Sequence, residues 1–381
     1  MLMRRFLVRF IIAYAIYGSM NAAAQEGVEL LGRWDVSKGT QVASYGGSAV
    51  LFKFKNSSWL KADLTAGRTT PGDAPGIKLY IRISVDGGAP HRIPLHEGMN
   101  PAFEIASGLS SGTHLVELRY DHEPEFGSLQ IGNPALDTGG VWQKISDTRP
   151  IIEVIDDSDA TGVCVLGPQS PATPAPLHTA AWSSQILSWP ALLESELAVL
   201  GHPAIVVDLA LSGSNTETEA TTYNLAAPKW SDSAFDRYSG NRRVSLALLW
   251  GGSNDRNMGG EVATGSPVTY ANLSPFERGI YDQITEIASH NPGVKLGLLQ
   301  YVDPRVPDWK PAYLQVKSLL PEETQKQIFF FAVKDVPMRF AACDVDPVGH
   351  PNLGMHASWA AQILQWMISE NLLPPASADP Q

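Results

Sequence analysis

PIIEVIDDSDATG, residues 150–162, divides the chain. Residues 150–155 form a short, mostly apolar run. IDDSDATG then crowds three carboxylates, Asp156, Asp157 and Asp159, around one hydroxyl, Ser158. Before this stretch the pattern is one of short alternating strands. After it, nearly continuous apolar strands are separated by helices. Strict alternation belongs to antiparallel sheets, whereas runs apolar on both faces belong to parallel sheets covered by helices. The fold therefore changes class here.

Upstream, residues 49–54 (AVLFKF) read as a strand, and residues 77–83 (IKLYIRI) alternate with period two. Asp86-Gly87-Gly88 supplies a hairpin turn, and residues 114–120 (HLVELRY) alternate again after Ser110-Ser111-Gly112-Thr113. Short strands with glycine-rich punctuation predict a β-sandwich, and no helix-period segment interrupts them. Downstream, the pattern predicts strands over residues 150–155, 204–209, 244–250, 294–301 and 327–333. It predicts helices over 188–197, 275–290 and 357–373, the first with Ser188 as N-cap and Pro190 in its first turn. Such alternation predicts an α/β domain built on a parallel sheet with helices on both faces. The join falls near residues 143–150, which gives a sandwich over 25–146 and an α/β domain over 147–381.

Residues 1–24 stand apart from both. Arg4, Arg5 and Arg9 precede an apolar stretch over 10–17 and small residues up to Ala24, the order of a cleavable signal peptide. The apolar stretch is shorter than the about 20 residues a spanning helix needs. The expected destination is therefore secreted or periplasmic, with no membrane attachment after cleavage. Loss of the three arginines takes the formal net charge from −11 to −14. So acidic a chain is poorly suited to nucleic acid or anionic lipid. Cys164 and Cys343 are the only cysteines. In an oxidising compartment an even pair invites a disulfide, the alternative being two buried thiols.

Ligands of open α/β sheets bind at the carboxyl ends of the strands. The first strand is followed by Asp156-Asp157-Ser158-Asp159, the second by Leu211-Ser212-Gly213-Ser214-Asn215 and the third by Gly251-Gly252-Ser253-Asn254-Asp255. Cys343-Asp344-Val345-Asp346-Pro347-Val348-Gly349-His350 precedes the last helix. One set of roles accounts for all four segments. Ser158 attacks a carbonyl, and His350 takes its proton and returns it to the leaving alcohol. Asp344 or Asp346 holds the imidazole. The backbone N–H groups of Ser158 and Gly213 and the Asn254 amide serve the oxyanion. His356 is a rival base. Asp344, Asp346, His350 and His356 also form a set of donors suited to a metal, though no second ligand cluster accompanies them.

These blocks resemble the SGNH (GDSL-like) hydrolases. IDDSDATG is similar to the first block, Gly-Asp-Ser-x-x-x-Gly. Leu211-Ser212-Gly213 resembles the second, Gly252-Ser253-Asn254-Asp255 the third, and His350-Pro351-Asn352 the last. A jelly-roll sandwich in front resembles carbohydrate esterase family 2. So do Gly32-Arg33-Trp34-Asp35, residues 108–114 (GLSSGTH), Gly139-Gly140 and the Ser188-Trp189-Pro190 helix start. The resemblance implies a flavodoxin-like sheet and removal of O-acetyl groups from carbohydrate hydroxyls, with no metal or other cofactor. It also implies that Cys164 and Cys343 are neighbours, since each flanks a catalytic loop.

Two departures from the family pattern stand out. Asp156 occupies the usual glycine position; it either opposes a nearby oxyanion or points to solvent. Pro347 occupies the usual aspartate position three before the histidine, which leaves Asp346, Asp344 or a backbone carbonyl to orient His350. The departures suggest an alternative function, a non-catalytic glycan-binding protein on a degenerate esterase scaffold.

Overall fold

A computed structural model describes residues 26–35, 41–43, 45–67, 77–122, 126–145, 147–166, 182–216, 244–251, 254–255, 267–302, 308–334 and 350–376. The leader at 1–24, together with Cys343, Asp344, Asp346, Gly252 and Ser253, lies outside the described residues.

Among the described residues the front domain has eleven strands: β1 (Val28–Leu31), β2 (Trp34–Asp35), β3 (Gln41–Ala43), β4 (Ala49–Lys55), β5 (Trp59–Ala66), β6 (Ile77–Val85), β7 (His91–His96), β8 (Gly98–Ser107), β9 (Thr113–Tyr120), β10 (Leu129–Leu136) and β11 (Val141–Trp142). One sheet runs β1-β4-β9-β6-β7, with β11 also on β4; the other runs β2-β3-β10-β5-β8. Their strands pair antiparallel. Leu60, Ala62 and Leu64 of β5 turn inward as alternation requires, to meet Val50, Phe52 and Phe54 of β4. On its other face β4 buries Ala49 and Leu51 against the second domain. Burial on both sides explains why AVLF carries no polar alternation.

The second domain contains β12 (Ile151–Ile155), α1 (Trp189–Val199), β13 (Ile205–Asp208), β14 (Val244–Trp250), α2 (Pro275–His290), β15 (Lys295–Val302), α3 (Lys310–Leu319), α4 (Glu322–Gln325), β16 (Ile328–Lys334) and α5 (Leu353–Ser369). Its five strands are parallel in the order β13-β12-β14-β15-β16. This is the flavodoxin-like order, whose switch point lies between β12 and β14. Ile151, Ile155, Ile205, Val207, Ala247 and Leu249 face α2 and α3. Ile152, Val154, Val206, Leu246, Leu248 and Trp250 face α1 and α5. Helices thus cover both faces, and period-two alternation within apolar strands sorts residues between two cores.

Helix boundaries follow their caps. In α2, Glu277 N–H donates to Ser274 Oγ (3.3 Å) while Glu277 Oε2 accepts from Ser274 N–H (2.9 Å), a reciprocal capping box. The terminal helix α5 starts at Leu353, four residues before the expected 357, because Asn352 Oδ1 accepts from Met355 N–H (3.0 Å). It likewise ends at Ser369 rather than 373. Ser188 occupies the N-cap position of α1 without capping it: its hydroxyl donates to Gln185 O (2.6 Å). The α3 and α4 helices were not anticipated from sequence.

Candidate active site

The β12 strand ends at Ile155, and the chain turns sharply into residues 156–166. Three bonds from carboxylates shape that turn. Asp156 Oδ1 accepts from Asp157 N–H (2.6 Å), Asp157 Oδ1 accepts from Asp159 N–H (2.9 Å), and Asp156 Oδ2 accepts from the Trp189 indole N–H (3.3 Å). Thr161 closes the turn by donating from both its backbone and its hydroxyl to Ser158 O (3.3 and 3.0 Å). Ser158 is held at its apex, 8% exposed.

Asp156 is 0% exposed, so of its two expected placements the solvent-facing one does not occur. A carboxylate in the usual glycine position is accommodated because it receives the elbow's own N–H and an indole N–H. Buried carboxylates persist where hydrogen-bond donors converge on them.

The ends of β12, β13 and β14 are laced together. The Asn254 amide donates to Asp157 Oδ2 (3.1 Å) and Ser214 O (2.8 Å). Thr216 donates from its N–H and hydroxyl to Asp255 Oδ1 (3.1 and 2.8 Å), and Leu211 N–H donates to Asp156 O (3.2 Å). Asn254 was expected to serve the oxyanion, but both of its amide hydrogens are engaged with Asp157 and Ser214. The other two expected donors differ. Among the described residues, the backbone N–H groups of Ser158 and Gly213 meet no acceptor. Gly213 has φ +77°, the left-handed region that favours glycine.

His350 is half-buried at the entrance to α5. Among the described residues, the Ser158 hydroxyl forms no hydrogen bond, to His350 or to any other group. The two loops are nevertheless tied through Trp189. Its indole holds Asp156 behind the serine, and its backbone N–H donates to His356 Nδ1 (3.2 Å), six residues beyond His350. Trp189 and Trp250 lie 5.6 Å apart, and Trp250 and Trp359 5.0 Å apart, forming an aromatic floor beneath these segments.

This arrangement removes His356 as a rival base. Burial, and secondarily the charge of His350, pulls it down to about 3, so the ring stays neutral and accepts from the start of α1. The carboxylates of the alternative metal set, Asp344 and Asp346, lie outside the described residues. Cys164 is disulfide-bonded, and Cys343 is the only other cysteine of the chain. Sequence reasoning missed Trp189 as the link between the two loops. It was legible only as the start of a helix.

A serine elbow at the switch point of a five-stranded parallel sheet, with an antiparallel sandwich in front, defines a two-domain protein with an SGNH-hydrolase fold. Residues 30–144 match the family described as carbohydrate esterase 2 N-terminal, and the two-domain arrangement is similar to that of solved family 2 carbohydrate esterases. Three solved structures illustrate the likeness. A family two carbohydrate esterase from Clostridium thermocellum, in complex with cellohexaose, has 15% identity and a TM-score of 0.65, covering 91% of this chain and 99% of that one. A family 2 enzyme with a carbohydrate binding domain from Corynascus thermopiles (Myceliophthora fergusii) has 20% identity and a TM-score of 0.63, covering 90% and 98%. An acetyl xylan esterase from the rumen bacterium Butyrivibrio proteoclasticus has 13% identity and a TM-score of 0.67, covering 91% and 96%. A comparison with curated proteins found no match. At these identities the structural likeness is one of fold.

Proposed function

We propose that the protein is a carbohydrate esterase that removes acetyl groups from polysaccharide or oligosaccharide hydroxyls. The observation that carries this reading is the convergence at the switch point. There Ser158 stands on a buried elbow laced to the Asn254 and Ser214 loops, beside uncommitted N–H groups at Ser158 and Gly213. In this reading Ser158 Oγ attacks the acetyl carbonyl while His350 accepts its proton. The two N–H groups receive the oxyanion. His350 then protonates the departing sugar oxygen. Water, deprotonated by His350, hydrolyses the acetyl-serine. Asn254 and Asp157 hold the loops in register, and Asp344 or Asp346 is assigned to orient His350. We also read residues 1–24 as a signal peptide for secreted or periplasmic delivery. A disulfide at Cys164 fits an oxidising compartment. The acetylated-glycan substrate class is supported by fold relatives described as an acetyl xylan esterase and as a family two esterase in complex with cellohexaose.

A second reading, a glycan-binding protein without turnover, draws on the unbonded Ser158 hydroxyl and the fully engaged Asn254 amide. Hydrolysis of p-nitrophenyl acetate separates the two. The esterase reading expects Ser158→Ala to lower kcat by about 10³-fold or more. Equal rates for wild type and variant would overturn it. Acetate release from a panel of acetylated polysaccharides then identifies the substrate.

A further inference from the structure

We propose that the front domain is a positioning element of the hydrolytic centre, acting through Asp121 and residues 182–188 on the turn that carries Ser158. The proposal builds on the esterase reading above but rests on separate contacts.

Residues 182–188 run between the two domains and bond to both. Toward the serine turn, Ser184 N–H donates to Gly162 O (3.1 Å), Leu166 N–H to Trp182 O (2.8 Å) and Cys164 N–H to Ser183 Oγ (3.3 Å). Gly162 lies at φ +68°, and a Cβ built there would stand 2.2 Å from Ser184 O. At Gly162 turn and segment thus touch backbone to backbone, with no side chain between them to absorb a displacement.

The front domain holds the other side of the segment. Asp121, immediately after β9 and 1% exposed, accepts from the Ser184 hydroxyl (2.9 and 3.1 Å to its two oxygens) and from Ile186 N–H (3.2 Å). Its carbonyl accepts from Gln185 N–H (3.3 Å). Arg82 of β6 donates to Asp121 Oδ2 (3.2 Å) and Ser184 Oγ (2.9 Å). Arg92 of β7 donates to Asp121 Oδ2 (2.8 Å) and Ser183 O (2.7 Å), with its guanidinium 3.6 Å from the centre of the Tyr80 ring. The carboxylate is itself fixed from behind: Asp121 N–H donates to Tyr80 O (3.3 Å), and His122 Nε2 accepts from Tyr80 N–H (2.9 Å).

Apart from Cys164 N–H to Ser183 Oγ and Tyr80 N–H to His122 Nε2, each bond in this chain is charge-assisted or joins backbone to backbone, and the path from β6, β7 and β9 to the serine turn crosses one segment. A rigid path of this kind sets where the turn sits over the sheet end. Reactions dependent on a near-attack geometry lose rate when a supporting contact lets the nucleophile shift. Asp121, Arg82, Arg92 and Ser184 touch no reacting atom; they are positioning residues. The sandwich in this account contributes to kcat even for a substrate too small to reach it.

The test uses the full chain with Asp121→Asn and Ser184→Ala, the latter deleting a single hydroxyl. Asp63→Asn serves as control; Asp63 lies on the other sheet, bonded to Ala102 N–H and Asn133. Hydrogen exchange of the amides in 156–166 is read alongside kcat and KM on p-nitrophenyl acetate. The expected result is faster exchange confined to that turn and an about 10- to 100-fold fall in kcat with KM nearly unchanged, while the control matches wild type. Should Asp121→Asn not fold, Ser184→Ala decides. Wild-type exchange in 156–166, or faster exchange with an unchanged kcat, overturns the proposal. Absence of ester turnover in the wild type would instead sink the esterase reading, and exchange alone would then decide whether the clamp holds the turn.

Discussion

Arg33→Met should be among the most damaging single changes outside the turn that carries Ser158. Arg33 Nη2 lies 2.6 Å from Glu153 Oε1, with side chains 1% and 0% exposed. Glu153 stands in β12 between Ile151 and Ile155, on the face that carries Leu31, Ala49 and Leu51 of the sandwich. The pair therefore joins the two domains inside an apolar layer. Removing the guanidinium leaves a carboxylate there without its ionic partner, and breaking a buried pair in this way costs about 3–5 kcal/mol. The pair as a whole contributes far less, because desolvation offsets most of its attraction. Arg33→Met with Glu153→Leu should therefore recover most of the loss, to within about 1 kcal/mol of wild type. Urea unfolding at pH 7, followed by circular dichroism and by intrinsic tryptophan fluorescence, measures both quantities. A single variant within about 1 kcal/mol of wild type, or a double variant no more stable than Arg33→Met, would refute the reasoning.

The remaining expectations concern the site and its supports. His356 is held down to about 3, whereas an unfolded histidine titrates near ~6.5. The stability gained by keeping it neutral is thus fully present above the unfolded value and drains as pH falls toward 3, with about 2 kcal/mol lost by pH 5. His356→Asn, which keeps an acceptor for Trp189 N–H, should narrow the gap between urea midpoints at pH 7 and pH 5; an unchanged gap contradicts this. Trp189→Phe removes the indole donor from buried Asp156 and should cost about 1.5–3 kcal/mol, read as a lower urea midpoint at constant slope. Cys164→Ser should cost about 2–4 kcal/mol and abolish any effect of reductant on the calorimetric melting temperature.

Local pattern was enough to establish the fold class. Period-two alternation in IKLYIRI and HLVELRY announced the sandwich, apolar runs such as VSLALLW announced the parallel sheet, and the strand-end rule pointed to Ser158, Gly213 and Asn254. Periodicity is a property of a few consecutive residues, so it survives without knowledge of the rest of the chain. The α3 helix escaped notice because its buried positions, Ala312, Tyr313 and Val316, occupy one short stretch behind Pro311. Tertiary structure alone decided the partners. The chain could not say locally that Asp156 turns inward to Trp189, that Asn254 gives both hydrogens to Asp157 and Ser214, or that His356 caps α1. Nor could it say that Arg33 meets Glu153 across the domain junction. Each of these bonds joins residues distant in sequence, and each side chain would serve equally well at a solvated surface. Only the packing of helices and loops onto the parallel sheet, and for Arg33 and Glu153 of one domain against the other, removes water from these groups and brings them together.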